Sequence, residues 1–492
     1  MYIGIDIGTQ GTKVVVVDSQ KKQVIGEGYA EHQIIADEHG KREQQPVWWI
    51  QAFHQAFEKA IHIANISPTK IKAIGVSGQQ HGLVVLDKDD NVLYNAKLWN
   101  DTETFAENNE LIEALGGKNK VFERLGIALQ TGYTASKIAW LRKHYFAQYS
   151  QIAKIMLPHD YINYYLTGEF MTECGDASGT GYFNINTRQW DTDVFQHIAP
   201  ELDATVVLPK IIGSSEKLGT IKTDIAKKLG LNTDVIVSTG GGDNMMGAIG
   251  TGNIAEGVVT MSLGTSGTVY AFTEKPLTLD PAIANFCSST GGWLPLVCTM
   301  NMTSANKSIM DLFQLSIDEF NQQIEKSPIG ASGITVLPFF NGERTPNLPQ
   351  AKASFYGLDS NNFTQENLCR AVIESASFSL IYGLNLLKSA GFKPKEIRLI
   401  GGGAKSNLWR QMIADISELP VVTLIESEAA ALGAAIQAMW VNHEAELTTL
   451  CNDFVQLDKQ STVYPIEENV LAYKPVYQRY IHQLNTYMES NL

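Results

Sequence analysis

The chain has 492 residues, more than one hydrophobic core usually serves, so two or three domains are expected. A hydrophobic share of 44% and a charged share of 18% place it among ordinary globular proteins. Its net charge of −14 excludes a general binder of nucleic acid or anionic membrane, since phosphate backbones demand a basic face, although one local site can still hold a phosphorylated ligand.

In chain order, residues 2–6 read as an apolar strand, GTQGT (8–12) as a tight turn and 14–17 as a β-branched strand. Residues 48–64 carry apolar side chains every three or four positions, the period of a helix. Residues 71–77 and 83–86 read as strands. Between them stands GQQHG (78–82), two glutamines and a histidine where the chain should be entering an apolar core. Residues 136–146 and 161–166 read as helices. A strand at 235–237 runs into STGGGDNMMGAIG (238–250), where three glycines precede Asp243, Asn244 and a helix-forming run. The opening pattern then returns as strand 258–263, turn GTSGT (264–268) and strand 269–272. One Gly-Thr turn arises readily by chance; two, each between apolar strands and half a chain apart, point to a duplicated architecture. Beyond it, 334–340 reads as a strand, 365–388 as a long helix, 397–400 as a strand leading into GGGAKSN (401–407), and 408–416 as a helix. The stretch after residue 442 is polar with scattered aromatics and shows no clear period. Mixed strands and helices imply α/β domains with ligands at strand ends, and the boundary is expected near residues 250–257.

The N-terminal residues lack a basic and an apolar leader region, and no apolar run reaches the roughly 18 residues a membrane span needs. The cysteines Cys174, Cys287, Cys298, Cys369 and Cys451 are scattered and form no C-x-x-C pair. A disulfide framework or zinc site is not expected, and a reducing, cytoplasmic setting fits best.

Three glycine-rich turns follow apolar strands: GTQGT, GTSGT and GGGAKSN. Glycine lets the backbone approach a ligand and offer its N–H groups to phosphate oxygens. Threonine hydroxyls add donors, and Lys13 adds a positive charge beside the first turn. None is a nucleotide-binding G-x-x-x-x-G-K-[ST] loop or a dinucleotide fingerprint. A lone turn needs glycine for structural reasons alone; three together favour a nucleotide. Asp6, at the end of the first strand, is placed to hold a hydrated Mg²⁺, or else to cap the turn through backbone N–H groups. Asp243 stands where a helix begins. A helix N-terminus favours an ionised carboxylate, which can accept a hydroxyl proton, although an N-cap Asp is equally common. Phosphate turns, a metal carboxylate and a base are the parts phosphoryl transfer requires.

Longer stretches carry a resemblance. GYTASKIAWLRKH (132–144), ASFYGLDSNNFTQENLCRAVIE (353–374) and LIGGGAKSNLWRQMIADI (399–416), with the D-I-G-T and S-L-G-T-S-G turns, resemble the signatures of the FGGY family of carbohydrate kinases, and the likeness runs from Met1 to about Gln437. Lys137 and Trp140 fall on fixed positions of the first signature. The resemblance implies an α/β fold of two actin-like (ribonuclease-H-like) ATPase domains with an interdomain cleft, 1–249 on the sugar-binding side and 250–492 on the nucleotide-binding side. It implies ATP, Mg²⁺ and transfer of the γ-phosphoryl group to a sugar or polyol hydroxyl. Asp243 would be the catalytic base and, with Asp6, would serve the metal. Thr9, Gly11, Thr12, Lys13, Gly264, Thr265, Gly402, Gly403 and Asn407 would contact ATP.

Family members acting on glycerol carry an Arg-Glu pair where this chain has Gln80 and His81, and an aromatic-Gln-Asp-Arg run where it has WNDT (99–102). Those acting on D-xylulose typically read G-Q-M-H-G, then W-N-D and G-G-G-D-N, with a segment like LPFFNGERTP (337–346). This chain matches them except at Gln80, which replaces Met. The reaction so implied is ATP-dependent phosphorylation of D-xylulose at O5, with Gln80, His81, Trp99, Asp101 and Asn244 contacting the sugar. Gly78 and Gly82 would allow the bend that points His81 at it. Three of these residues also have a structural alternative: a backbone-satisfied His81, a core Trp99, a capping Asp101. Kinases of ribulose, gluconate or a pentitol, and a non-catalytic actin-like ATP switch, stay open as other readings. The small-molecule sugar and ATP are the expected partners; no nucleic acid or membrane is expected, and a homodimer is left open.

Overall fold

The computed structural model describes residues 1–490. Strands β1 (Tyr2–Ile7), β2 (Gly11–Asp18) and β3 (Gln23–Glu31) form an antiparallel meander whose first two members are almost wholly buried. Helix α1 (Pro46–Ala64) opens on Pro46, whose missing N–H costs nothing at that position, and ends at Asn65 in the left-handed region. Its buried face, Trp49, Phe53, Ala56, Phe57 and Ala60, lies on the meander. A Cβ on Gly28 of β3 would fall 1.9 Å from the Ala56 carbonyl oxygen, so glycine is required there. Strand β4 (Ala73–Gly78) then joins parallel to β1. Helices α2 (Thr134–His144), α3 (Pro158–Thr167) and α4 (Cys174–Ala177) follow, then β5 (Ile236–Ser238), parallel to β4, and α5 (Asp243–Gly250).

The pattern repeats. Strands β6 (Val258–Leu263), β7 (Gly267–Ala271) and β8 (Trp293–Thr299) form a second antiparallel meander. Helix α6 (Thr303–Phe313) and the 25-residue α7 (Gln365–Ser389) precede β9 (Glu396–Ile400), parallel to β6; α8 (Asn407–Ser417) precedes β10 (Val421–Leu424), parallel to β9. Each sheet therefore has the order third, second, first, fourth, fifth, the ribonuclease-H-like order, and each Gly-Thr turn joins the first two strands. Helix α9 (Ala429–Val441), β11 (Leu457–Val463) and α10 (Glu467–Ser490) complete the described chain.

The compact units do not divide at one point. The first comprises Met1–Ile254, Thr273–Leu294 and Glu428–Gln456; the second comprises Ala255–Phe272, Pro295–Ser427 and the chain from Leu457 onward. The first break follows Ile254, and two later segments, Thr273–Leu294 and Glu428–Gln456, return to the first unit. The physical reason is α9. Built largely of alanine, it packs backbone against backbone on the first sheet. A Cβ on Gly4 of β1 would lie 1.8 Å from the Ala431 oxygen, and one on Gly75 of β4 would lie 1.9 Å from that of Ala434. Helix α5 meets α9 the same way, with a Cβ on Gly250 placed 1.8 Å from the Ala429 oxygen. In the second unit α10 buries Val470, Tyr473, Val476, Tyr480 and Leu484, and Tyr480 bonds Ser379 of α7 at 2.8 Å.

Candidate active site

Strand register assembles the carboxylates. Asp6 of β1 stands opposite Lys13 of β2 and Ser77 of β4. On the other side of β4, Gly241 and Gly242 pair with Ser77 and Gly78, and Asp243 follows at once as the first residue of α5. Ser77 Oγ donates to Asp6 Oδ1 at 2.8 Å. Burial raises the pKa of Asp6 against the opposing pull of Ser77 and Lys13, and Lys13 is itself engaged by Glu428. Burial, then the charges of Asp6 and Asp176, push Asp243 up to about 8, against the Asn244 backbone N–H, which donates to Asp243 Oδ1 at 2.8 Å. Carboxylates that repel one another in a buried setting, with their one nearby lysine already paired, form a donor set suited to hydrated Mg²⁺, which takes one or two carboxylates beside waters and phosphates.

The bend in GQQHG comes from neither expected glycine. His81 supplies it, with φ +64°, a conformation costing a non-glycine residue roughly 1–2 kcal/mol. The glycines instead admit α3: a Cβ on Gly78 would lie 2.8 Å from His159 N, and one on Gly82 would lie 2.5 Å from Pro158 Cγ. Lys137, fully buried, holds the bend from α2. Its Nζ donates to the His81 carbonyl at 2.5 Å and to that of Gly132 at 2.6 Å. The His81 ring lies 4.5 Å from the Tyr133 ring and 5.6 Å from Phe286.

The two glutamines face different partners. Thr9 Oγ1 donates to Gln79 Oε1 at 3.0 Å, and Gln79 Nε2 donates to Gln44 Oε1 at 3.0 Å. Asn244 Nδ2 donates both to Gln80 Oε1 at 2.8 Å and to Asp243 Oδ1 at 3.0 Å. Gln80 is therefore linked through one amide nitrogen to Asp243, and its own Nε2 is buried with no hydrogen-bond partner. Trp99 Nε1 donates to Thr9 Oγ1 at 3.0 Å, so the Thr9 hydroxyl sits between Trp99 and Gln79. Thr12 is fully buried with its hydroxyl 2.8 Å from His32 Nε2. Gly11 is needed for packing, since a Cβ there would lie 2.4 Å from the Tyr29 ring.

Asp101 is also fully buried and fully engaged. It accepts from the Arg42 N–H at 2.8 Å, the Glu103 N–H at 3.1 Å and Lys97 Nζ at 3.3 Å. Lys97 pairs further with Glu43 and Glu103 and lies 3.8 Å from the Trp140 ring centroid. The contacts of Asp101 are those a capping Asp makes.

One cluster has no counterpart in the sequence reading. His159, fully buried at the start of α3, has Nδ1 2.6 Å from Asp176 Oδ2 and Nε2 3.0 Å from Asp160 Oδ1. Burial alone would lower its pKa, but Asp160 and Asp176 raise it to about 9, and burial raises Asp176 to about 6. Glu173 caps α4, accepting from the Gly175 and Asp176 N–H groups at 2.7 Å. The His-Asp dipeptide at a helix start was the available signal; nothing in the spacing links residue 159 to 176.

In the second unit, the carbonyls of the GTSGT turn point into the start of α6. The Thr303 N–H and hydroxyl donate to Gly264 O at 3.0 and 2.9 Å. The Met302 N–H and Ser304 Oγ donate to Thr265 O at 3.2 and 3.0 Å. Thr265 itself is exposed. The GGGAKSN turn leans on the same strand end: a Cβ on Gly401, at φ +88°, would lie 2.9 Å from the Leu263 backbone, and one on Gly403 would lie 2.8 Å from Leu263 Cβ. Gly402 faces open space. Asn407, exposed at the first position of α8, accepts from Arg410. Gly264, Thr265, Gly402, Gly403 and Asn407 thus gather around the C-terminal end of β6 and the turn after β9.

Two α/β units of one strand order, each with a Gly-Thr turn, and one with paired carboxylates at its strand ends, define a two-domain kinase of the actin-like ATPase architecture. Residues 1–250 match the N-terminal domain, and 259–441 the C-terminal domain, of the FGGY family of carbohydrate kinases, and the chain belongs to that family. It is 61% identical over 490 residues to the xylulose kinase of Haemophilus influenzae, covering 99% of each chain. Among solved structures it is similar to a xylulose kinase from Bifidobacterium adolescentis (32% identity, TM-score 0.82, covering 96% of this chain and 98% of that one). It is also similar to a gluconate kinase from Lactobacillus acidophilus (26%, TM-score 0.91, 98% and 97%).

Proposed function

We propose that this protein phosphorylates D-xylulose at O5 with ATP, giving D-xylulose 5-phosphate and ADP. The observation that supports it most is the setting of Asp243: a carboxylate at a strand end, beside Asp6, pushed up to about 8 and joined through Asn244 to the buried amide of Gln80. The 61% identity to a xylulose kinase supports the sugar.

In this reading His81, Gln80, Asn244 and Trp99 bind the open-chain sugar and orient O5. Asp243 accepts the O5 proton as the O5–phosphorus bond forms and the bond to ADP breaks, the electron pair leaving with ADP. Asp6, with Asp243, would hold Mg²⁺, which when bound offsets the charge of the phosphates and of the carboxylates. Gly264, Thr265, Gly402, Gly403 and Asn407 would bind ATP, with Thr9, Gly11 and Lys13 near its phosphates; Thr12 would support the turn through His32. A cytoplasmic setting fits the five cysteines, none of which is in a disulfide.

The test is ADP release measured with D-xylulose, D-ribulose, D-gluconate, xylitol, glycerol and no sugar. We expect kcat/KM for D-xylulose to exceed every other by at least about tenfold. A larger value for gluconate or ribulose would overturn the substrate, and sugar-independent release would mark a switch. Asp243→Ala should lose roughly 10²–10⁴ in kcat while still binding ATP.

A further inference from the structure

Glu343 lies in the NGERTP stretch, a motif with no part in the chemistry above, and it is a buried carboxylate in the second unit. Its Oε1 accepts the Met300 N–H at 2.7 Å and the Arg344 N–H at 2.8 Å. Its Oε2 accepts from Asn301 Nδ2 at 3.2 Å. Asn301, fully buried, also donates to the Gly342 carbonyl at 2.7 Å, and its Oδ1 accepts the Asn341 N–H at 3.1 Å. Residues 341–343 and 300–301 are thus bound by five hydrogen bonds that run through two buried side chains, the fifth from Asn341 Nδ2 to Asn301 Oδ1 at 3.4 Å.

What lies one residue further on gives the clamp a purpose. Met302, Thr303 and Ser304 form the start of α6, and their N–H and hydroxyl groups hold the carbonyls of Gly264 and Thr265. A peptide whose carbonyl is held on one side presents its neighbouring N–H groups on the other. Fixing the carbonyls of the GTSGT turn therefore fixes the direction of the N–H groups a phosphate would meet. A buried carboxylate with three donors is costly to form and stiff once satisfied, which suits a strut more than a surface loop tie.

We propose that Glu343 is a positioning residue for nucleotide binding: through Asn301 and the start of α6 it sets the GTSGT turn in its phosphate-binding form. The inference rests on the reading that Gly264 and Thr265 bind ATP, and not on which sugar is the acceptor.

The experiment measures the Kd for ATP·Mg²⁺ by calorimetry on the full chain without sugar, so it stands whatever the acceptor proves to be. In Glu343→Gln the new amide keeps one oxygen for the Met300 and Arg344 N–H groups but sets an NH₂ against Asn301 Nδ2. Thr303→Val removes one bond to Gly264 O while keeping the side-chain shape, and it is insulated from any folding defect at Glu343. Gly264→Ala tests the turn itself. We expect each to weaken ATP binding about tenfold, the loss of one buried hydrogen bond with its partner left unpaired. We expect Glu343→Gln with Thr303→Val to cost clearly less than the product of the two, because both act on one strut. With D-xylulose as acceptor, KM for ATP should rise while KM for the sugar stays within about twofold, a split that general destabilisation does not produce. If Gly264→Ala weakens ATP binding and Glu343→Gln does not, the strut is refuted and the turn reading stands. Full multiplicativity in the double variant refutes the strut as well. If neither Gly264→Ala nor Glu343→Gln alters ATP binding, both fall.

Discussion

Replacing Asp176 by Asn should make the enzyme work at lower pH. The ionised form of Asp243 is the one that accepts a proton, and in the metal-free protein a pKa of about 8 leaves about one molecule in ten ionised at pH 7. Burial, Asp6 and Asp176 hold the value up, in that order. Burial cannot be changed without moving α5, and Asp6 is assigned to the metal. Asp176 has neither sugar nor metal to hold, and an Asn oxygen can keep the 2.6 Å bond from His159 Nδ1. The substitution thus deletes a negative charge and preserves the packing. Asp176, itself pushed up to about 6, is charged above that value and neutral below it, so if the repulsion is worth about one pKa unit, ~1.4 kcal/mol, the ionised fraction near pH 7 rises roughly fourfold. A lower pKa keeps the base form present further into acid, so the gain is largest near pH 7, shrinks below about pH 6 as Asp176 neutralises, and vanishes above about pH 9. The assay is kcat/KM across that range at saturating Mg²⁺. An acid limb that stays in place, or moves upward, refutes the claim that Asp176 repels Asp243.

Gln80→Met should raise KM for D-xylulose about tenfold with KM for ATP unchanged in steady-state assays, because in the proposed function the buried, unpartnered Nε2 donor bonds the sugar; an unchanged sugar KM would place that donor elsewhere. Lys137→Met leaves the carbonyls of His81 and Gly132 without their shared donor. Thermal unfolding should show a loss of about 2–4 kcal/mol, and KM for the sugar should rise as the His81 bend relaxes. Gly4→Ala puts a Cβ 1.8 Å from the Ala431 oxygen, and the displaced helix should cost more than about 4 kcal/mol, visible as a large loss of soluble yield; near-normal stability would mean α9 can slide.

The parts of the fold that repeat were the parts that could be read. Strand, Gly-Thr turn and strand recur with the same residues, and both copies occupy the centre of a sheet. The extent of α1, α7 and α8 followed from apolar period to within about two residues. Helix α10 did not, because Pro475 and many polar residues mask its spacing; yet Tyr473, Val476, Tyr480 and Leu484 lie three or four apart and are all buried. The return of α9 to the first unit could not be read at all. An alanine-rich helix buried nearly all round carries no stripe to say which sheet it covers. At the site, the positions of Asp6 near the end of β1 and of Asp243 at the start of α5 could be read because each stands beside glycines. His81 was legible as a residue but not as the bend, since positive φ is a property expected of Gly78 or Gly82. The partnership of His159 and Asp176 exists only once α3 and α4 are packed.

The backbone contacts between α9 and β1 also order events during synthesis. The sheet of the first unit is encoded within the first half of the chain, but the helix that seats directly on Gly4 and Gly75 is translated more than 350 residues after β1 by the numbering of the chain. Until that helix emerges from the ribosome, one face of the first sheet has no cover, so the first unit cannot close before most of the second has been made. Nascent chains halted near residue 420 should therefore bind holdase chaperones and resist protease poorly, whereas those released past residue 456 should not.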